Sequence, residues 1–328
     1  MKLLHTIRRA KQKWNILVTK QLRKVGIFKR LNISFLVLLL ASALFLTFFS
    51  FFQYSREINL NLDRYTSMLV QNTRLKIQDI MKEYENMALS FYNNNKILRA
   101  ISENAELSQN RNDNEEQAYI DNSFLIENRL YSLRRNKKYI VNVQLVTPDR
   151  QYHMVEDNGF QRGGTIRDLD AFYQSEFYLL PQEKKGYPIW MDSREQTGIF
   201  YKDQQIIYGF ARKFLGVLIF NIDLGAFSDV IDYSGDSKQG NTFLVGKDGV
   251  LCGFNPSIQA PSFPRIPELL SQMFKNGRGI QRTRIDGQNV LLAYEQIPDS
   301  EMLTCYIADL DSLLRHTYHI RNLCILVL

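Results

Sequence analysis

Residues 173–223 gather the side chains most able to do chemistry in this chain: Tyr173, Tyr187, Trp190, Asp192, Tyr208, Arg212 and Asp223. Their types point to binding. A site for a small solute is concave and mostly apolar, finished by a few polar groups that fix orientation. Tyr187 and Trp190 share the stretch Gly-Tyr-Pro-Ile-Trp, and their rings could stack on a sugar or heterocycle or equally pack a core. Arg212 offers a two-pronged donor to a carboxylate or phosphate, or it is an ordinary surface arginine of a strand. Asp223 closes the otherwise apolar run GVLIFNID, where a carboxylate needs a reason. Capping the turn at Leu224-Gly225, or facing solvent at the strand end, is the plainer one.

Signatures of catalysis are missing. Between Gly240 and Gly246 stand five residues, and Asp248 follows Lys247, whereas a phosphate-binding loop needs four residues between its glycines and a Ser or Thr after the Lys. His316 and His319 lie three apart, within reach of one metal ion on a helix, but have no third ligand near in sequence. His-Glu-x-x-His, Gly-x-Ser-x-Gly and Cys-x-x-Cys do not occur, so no catalytic residue, metal or cofactor is expected. Three cysteines, Cys252, Cys305 and Cys324, make no disulfide framework. Cys252 and Cys305 read as partly buried free thiols, with pairing as the alternative if their strands are neighbours.

What positions these groups begins at a membrane. Residues 31–55 contain no charge and supply the roughly 20 apolar residues a helix needs to cross a bilayer core. The run is longer than the apolar part of a signal peptide, about 7–15 residues, and lacks a small-residue cleavage site. Residues 1–30 hold ten Lys or Arg and no acid, which keeps this end in the cytoplasm and puts the main domain outside the cell. Removing those ten charges from the chain's +7 leaves −3 for the remainder. The basic balance is therefore an anchoring signature toward anionic lipid, and no nucleic-acid partner is expected. The apolar end, residues 323–328, reads as the first third of a second membrane helix.

Beyond the anchor, Ile77, Met81, Tyr84, Ala88 and Phe91 recur in steps of four and three, which predicts one long helix from residue 57 to about 102 that pairs with a second copy or lies along the domain it precedes. Residues 103–116 are polar and Asn-rich and read as a loop; 117–135 are helical again. The period then shifts to strands: 139–146, a turn at 147–150, and a strand through Tyr152 and Met154. A loop at 159–164, a short helix at 168–177, a strand at 187–192 and a hairpin of 205–212 with 216–224 follow. The last strand, apolar on both faces, belongs at the centre of a sheet. A second unit repeats the order: strands at 242–245 and from 250, a helix at 267–275, and strands at 279–284, 288–295 and 302–308 with an Asp-Gly turn.

GVLIFNIDL at 216–224 and FLVGKDGVL at 243–251 resemble the closing strand of the distal unit and the opening hairpin of the proximal unit in double Cache sensor domains. The resemblance covers residues 54–328. It implies an α+β fold: a transmembrane helix, a long N-terminal helix, and two tandem PAS-like antiparallel-sheet units. The corresponding divisions are a cytoplasmic tail (1–30), membrane helix (31–55), stalk helix and loop (56–116), membrane-distal unit (117–235), membrane-proximal unit (240–310), and a juxtamembrane helix with the start of a second membrane helix (311–328). Among carriers, the layout is most similar to the extracytoplasmic half of Gram-positive sensor histidine kinases; AraC-type regulators, chemoreceptors and diguanylate cyclases share the sensor. The resemblance implies a small-molecule ligand outside the cell, a homodimer in a lipid bilayer, and Asp223 at the place where amino-acid sensors hold an amine. The Arg-x-Trp-Tyr element of that subset has its nearest counterpart in residues 167–173, whose spacing departs from it. A membrane-anchored solute-binding or transport accessory protein is the rival reading, and an anchored hydrolase the third.

Overall fold

The computed structural model describes residues 26–108, 113–135, 137–156, 165–184, 187–192, 198–200, 206–212, 215–232, 240–247, 249–253, 267–285 and 287–315. Helix α1 is Ile27–Tyr92 and carries the uncharged segment, long and apolar enough to cross a membrane. It ends where Asn93 and Asn94 interrupt the apolar stripe. The Asn94 side chain accepts hydrogen bonds from the backbone N–H groups of Lys96 and Ile97 and so starts α2, Asn95–Leu107. The single helix expected to about residue 102 is thus two. The loop expected at 103–116 is shorter, because α2 runs to Leu107 and α3 spans Asp113–Arg134.

Residues 63–313 form one compact unit holding two sheets. In the distal sheet, β1 (Ile140–Val146), β2 (Tyr152–Glu156), β3 (Ile189–Asp192), β4 (Ile206–Arg212) and β5 (Gly216–Ile222) lie in the order β2-β1-β5-β4-β3. Helices α4 (Leu169–Gln174) and α5 (Glu176–Glu183) stand where one short helix was expected, and α6 (Gly225–Asp232) follows β5. In the proximal sheet, β6 (Asn241–Gly246), β7 (Gly249–Cys252), β8 (Arg278–Ile285), β9 (Gln288–Gln296) and β10 (Leu303–Asp309) take the order β7-β6-β10-β9-β8, with α7 (Pro267–Asn276) between β7 and β8. Position for position the two orders are the same, and every pairing is antiparallel.

β5 is central and buried at all seven positions, as its unbroken apolar run requires when both faces are covered. Gly216 opens it opposite Arg212 at φ 127°; a Cβ there would stand 2.5 Å from the Val146 carbonyl oxygen. At the outer edge of the proximal sheet, β8 exposes Arg278, Arg282 and Arg284, charges that discourage pairing with another chain. Cys252 and Cys305 are free thiols. Cys305 is fully buried, which pushes its thiol above the ordinary range.

Both sheets pack on α1. Ile77, Met81, Tyr84, Ala88 and Phe91 join one core with Val143, Leu145, Leu218 and Phe220 of the distal sheet, and Leu244, Ile297 and Met302 extend it into the proximal one. Two turns earlier, Leu69 and Val70 lie on Ala293, Tyr306 and Ala308. The other face of the proximal sheet is closed by Leu270 and Met273 of α7. Polar contacts lock the register of α1 on β8 and β9: Arg74 pairs with Glu295 at 3.0 Å, Arg282 with Asp63 at 2.6 Å, and Arg278 donates to Ser67 at 3.1 Å.

The Arg74–Glu295 pair is nearly buried, with side chains 12% and 15% exposed. Removing one partner of such a pair strands the other charge, whereas removing both need not. Glu295→Ala is expected to cost roughly 3 kcal/mol in urea unfolding, and Arg74→Met with Glu295→Leu distinctly less; equal losses would show that the pair contributes no coupling.

Candidate functional site

Directly opposed residues of antiparallel strands share a face, and the register Asn142↔Asn221, Gln144↔Ile219, Val146↔Val217 and Val146↔Tyr152 defines the outer face of the distal sheet. Three carboxamides stand on it. Asn142, Gln144 and Asn221 are at most 1% exposed. The Asn221 and Gln144 amides donate to Asn142 Oδ1, while the Tyr152 hydroxyl, at 2.7 Å, and the Ile166 N–H, at 3.2 Å, donate to Gln144 Oε1. A row of carboxamides can donate and accept without charge, the chemistry needed for hydroxyl and amide groups of a solute.

Above this face α4 and α5 set an aromatic lid. Asp168 caps α4 by accepting from the Ala171 N–H at 2.9 Å. That places Phe172 and Tyr173 against Phe177, Tyr178 and Phe200, with Tyr173 and Tyr178 ring centres 4.6 Å apart and those of Phe177 and Phe200 5.0 Å apart. The Tyr173 hydroxyl donates to the Thr147 carbonyl. Burial raises the phenols of Tyr152, Tyr173 and Tyr178, so all three stay protonated donors at neutral pH.

The seven residues singled out in the sequence fall in separate places. Tyr173 belongs to the lid. Trp190 is 6% exposed on the α1 side of the sheet, edge-on to Tyr84 and Phe227, and its Nε1 donates to Glu85 at 3.1 Å. Tyr187 is exposed just before β3. Asp223 is exposed and accepts the Gly225 N–H at 2.6 Å, capping α6, while its own N–H donates to the Tyr139 carbonyl. Asp192, Tyr208 and Arg212 are placed by their strands, paired with Ile206, Phe220 and Gly216; their side chains lie outside the described residues. So do the loop expected at 159–164, His316, His319, Cys324 and the apolar end. The carboxamide row was not singled out. Its signal was alternation: Asn142 and Gln144 within an apolar strand, and Asn221 two residues before Asp223.

His153 on β2 opposes Leu145, on the face away from the lid, and is 5% exposed with Nδ1 3.6 Å from Glu127 of α3. Burial lowers its pKa, and the charges of Glu127 and Asp149 oppose this without cancelling it. A histidine whose folded-state pKa is depressed below 6.5 leaves the unfolded chain holding more protons, so stability is full above that pH and falls as pH drops through it. Urea unfolding at about pH 8 and about pH 5 should show wild type losing more stability on acidification than His153→Gln; equal losses would remove His153 from the pH response.

No protein-family model and no curated protein matches the chain. Solved structures do. The ligand-binding domain of the Campylobacter jejuni chemoreceptor Tlp3 in complex with L-norvaline is similar over 78% of this chain and 94% of that one, at 17% identity and a TM-score of 0.55. The same receptor's sensory domain with isoleucine bound is similar over 79% and 96%, at 15% identity and a TM-score of 0.54. The extracellular domain of rpHK1S-Z16, a protein assigned as a histidine kinase, is similar over 78% and 97%, at 15% identity and a TM-score of 0.53. At such identities the likeness is one of fold: this chain has the α+β architecture of tandem PAS-like sheets on a long N-terminal helix that these sensory domains have.

Proposed function

We propose that this chain is the extracytoplasmic ligand-sensing part of a transmembrane signal receptor of the sensor histidine kinase kind. The observation that carries the reading is α1: one helix of 66 residues holds both the uncharged apolar segment and the face on which two sensor-type sheets pack. A shift in either sheet acts on the helix that carries the apolar segment. Residues 1–30 would be cytoplasmic by their charge. Tyr65, Met68 and Leu75, exposed on α1 at steps of three and seven, support pairing with a second copy. A chemoreceptor output is the second reading, supported by the Tlp3 neighbours.

The proposed ligand is a small solute held by the distal unit beneath α4 and α5. Tyr173 and the carboxamide row Asn142, Gln144 and Asn221 support that placement. The Tlp3 domains hold L-norvaline and isoleucine. Residues 167–173 do not repeat an Arg-x-Trp-Tyr element, so the proposed class is wider than amino acids.

The test is a thermal-shift screen of the full chain in lipid nanodiscs against amino acids, sugars, carboxylates and short peptides. A ligand at a hundredfold excess over its Kd stabilises the folded form by about 2.7 kcal/mol, so one class should raise the melting temperature, and Gln144→Ala should abolish the rise relative to its own ligand-free baseline. No rise with any class in a folded sample would shift the input to a partner protein or to mechanical load.

A further inference from the structure

A cleft of about 1280 Å³ lies between the distal and proximal sheets, walled by α1 and α5, by β3 and the residues leading into it, and by the β6–β7 and β9–β10 turns. Small-molecule pockets run to roughly 300–1000 Å³. This one has room for an extended ligand of several residues.

The wall is built for a cation. Trp190 is held edge-on by Tyr84 and Phe227 at 6.4 and 6.1 Å between ring centres, so its indole N–H points in a set direction. That N–H donates to Glu85 Oε1 at 3.1 Å, which orients the carboxylate on the cleft wall. A carboxylate accepts about four hydrogen bonds, and the indole takes one. Tyr187, 74% exposed, adds an aromatic surface beside it. Glu176 and Asp299 bring two more carboxylates, Asp299 from a turn position with φ 57°. Of the two lysines on the wall, Lys247 is ion-paired to Glu301 and Lys184 stands against the remaining three acids. Negative charge is in excess, next to rings whose faces attract ammonium and guanidinium groups.

We propose that this cleft binds a short extended peptide carrying lysine or arginine, one cationic group being received by Glu85 and its apolar stem by Tyr187 and Trp190. The site uses both sheets, so its occupant holds one against the other. It shares α5 with the proposed solute site but is lined by none of Asn142, Gln144, Asn221 and Tyr173. A free polyamine offers the same ammonium chemistry without a peptide backbone, and the test separates the two sources.

The experiment uses the full chain in nanodiscs of zwitterionic phosphatidylcholine, with Trp14→Phe so that Trp190 is the sole indole of the chain. The probes are the tetrapeptide Lys-Phe-Lys-Phe, its neutral counterpart Gln-Phe-Gln-Phe, and spermidine. The cationic peptide should change Trp190 emission saturably, with the neutral peptide and spermidine each at least tenfold weaker. Glu85→Gln, which keeps an acceptor for the indole, should weaken binding about tenfold, and Glu176→Gln with Asp299→Asn about threefold, both with ligand-free melting temperatures unchanged. A solute response lost in Gln144→Ala should persist in Glu85→Gln. No saturable change with the cationic peptide, or unaltered affinity in both acid variants, would overturn the site. Spermidine binding as tightly as the peptide would overturn the peptide assignment.

Discussion

The structure depends on one helix being shared. From residue 69 to residue 91, α1 presents a single apolar face, and the two sheets occupy successive turns of it. A helix face recurs every three or four residues, so a core built on it can be extended lengthwise without a break. That is how Leu69 and Val70 meet the proximal sheet while Phe91 lies in the core of the distal one. The small side chains Ala293 and Ala308 allow close approach there, and the Arg74–Glu295 pair fixes the rotation and register that apolar packing alone specifies weakly.

The two sheets share a strand order but not a chemistry. The proximal sheet is closed by α7 over Phe243, Val245, Leu292 and Ile307, an ordinary apolar seal. The distal sheet turns three carboxamides to the corresponding side and covers them with aromatic rings on two short helices. Buried amides are tolerated there because each finds partners among its neighbours. Both sheets hold the helix, and the distal one alone carries a buried carboxamide row beneath α4 and α5.

Charge is segregated along the chain in the same functional sense. Residues 1–30, ahead of the apolar segment, carry ten Lys or Arg and no acid, and the remainder is slightly acidic. Within that remainder, carboxylates gather along the cleft between the sheets, while the arginines of β8 face solvent or the stalk.

Local sequence determined the elements. Period-3.6 spacing at Ile77, Met81, Tyr84, Ala88 and Phe91, the uncharged run at 31–55, and the apolar run of β5 announce helix, membrane segment and central strand, because burial on one face or on all faces leaves a distinct pattern. Boundaries were less legible: Asn94 ends one helix by capping the next, a choice made by a side-chain hydrogen bond and not by periodicity. The site was decided by tertiary structure. Trp190 and Glu85 are 105 residues apart and meet only because β3 lies across α1. Asn142 and Asn221 are 79 apart and become neighbours through the β1–β5 register. Asp223, whose plainer reading was a turn cap, accepts the Gly225 N–H at the start of α6. A residue's type sets which bonds it can make, but its partner is chosen by strand pairing and helix packing, and these depend on the whole chain at once.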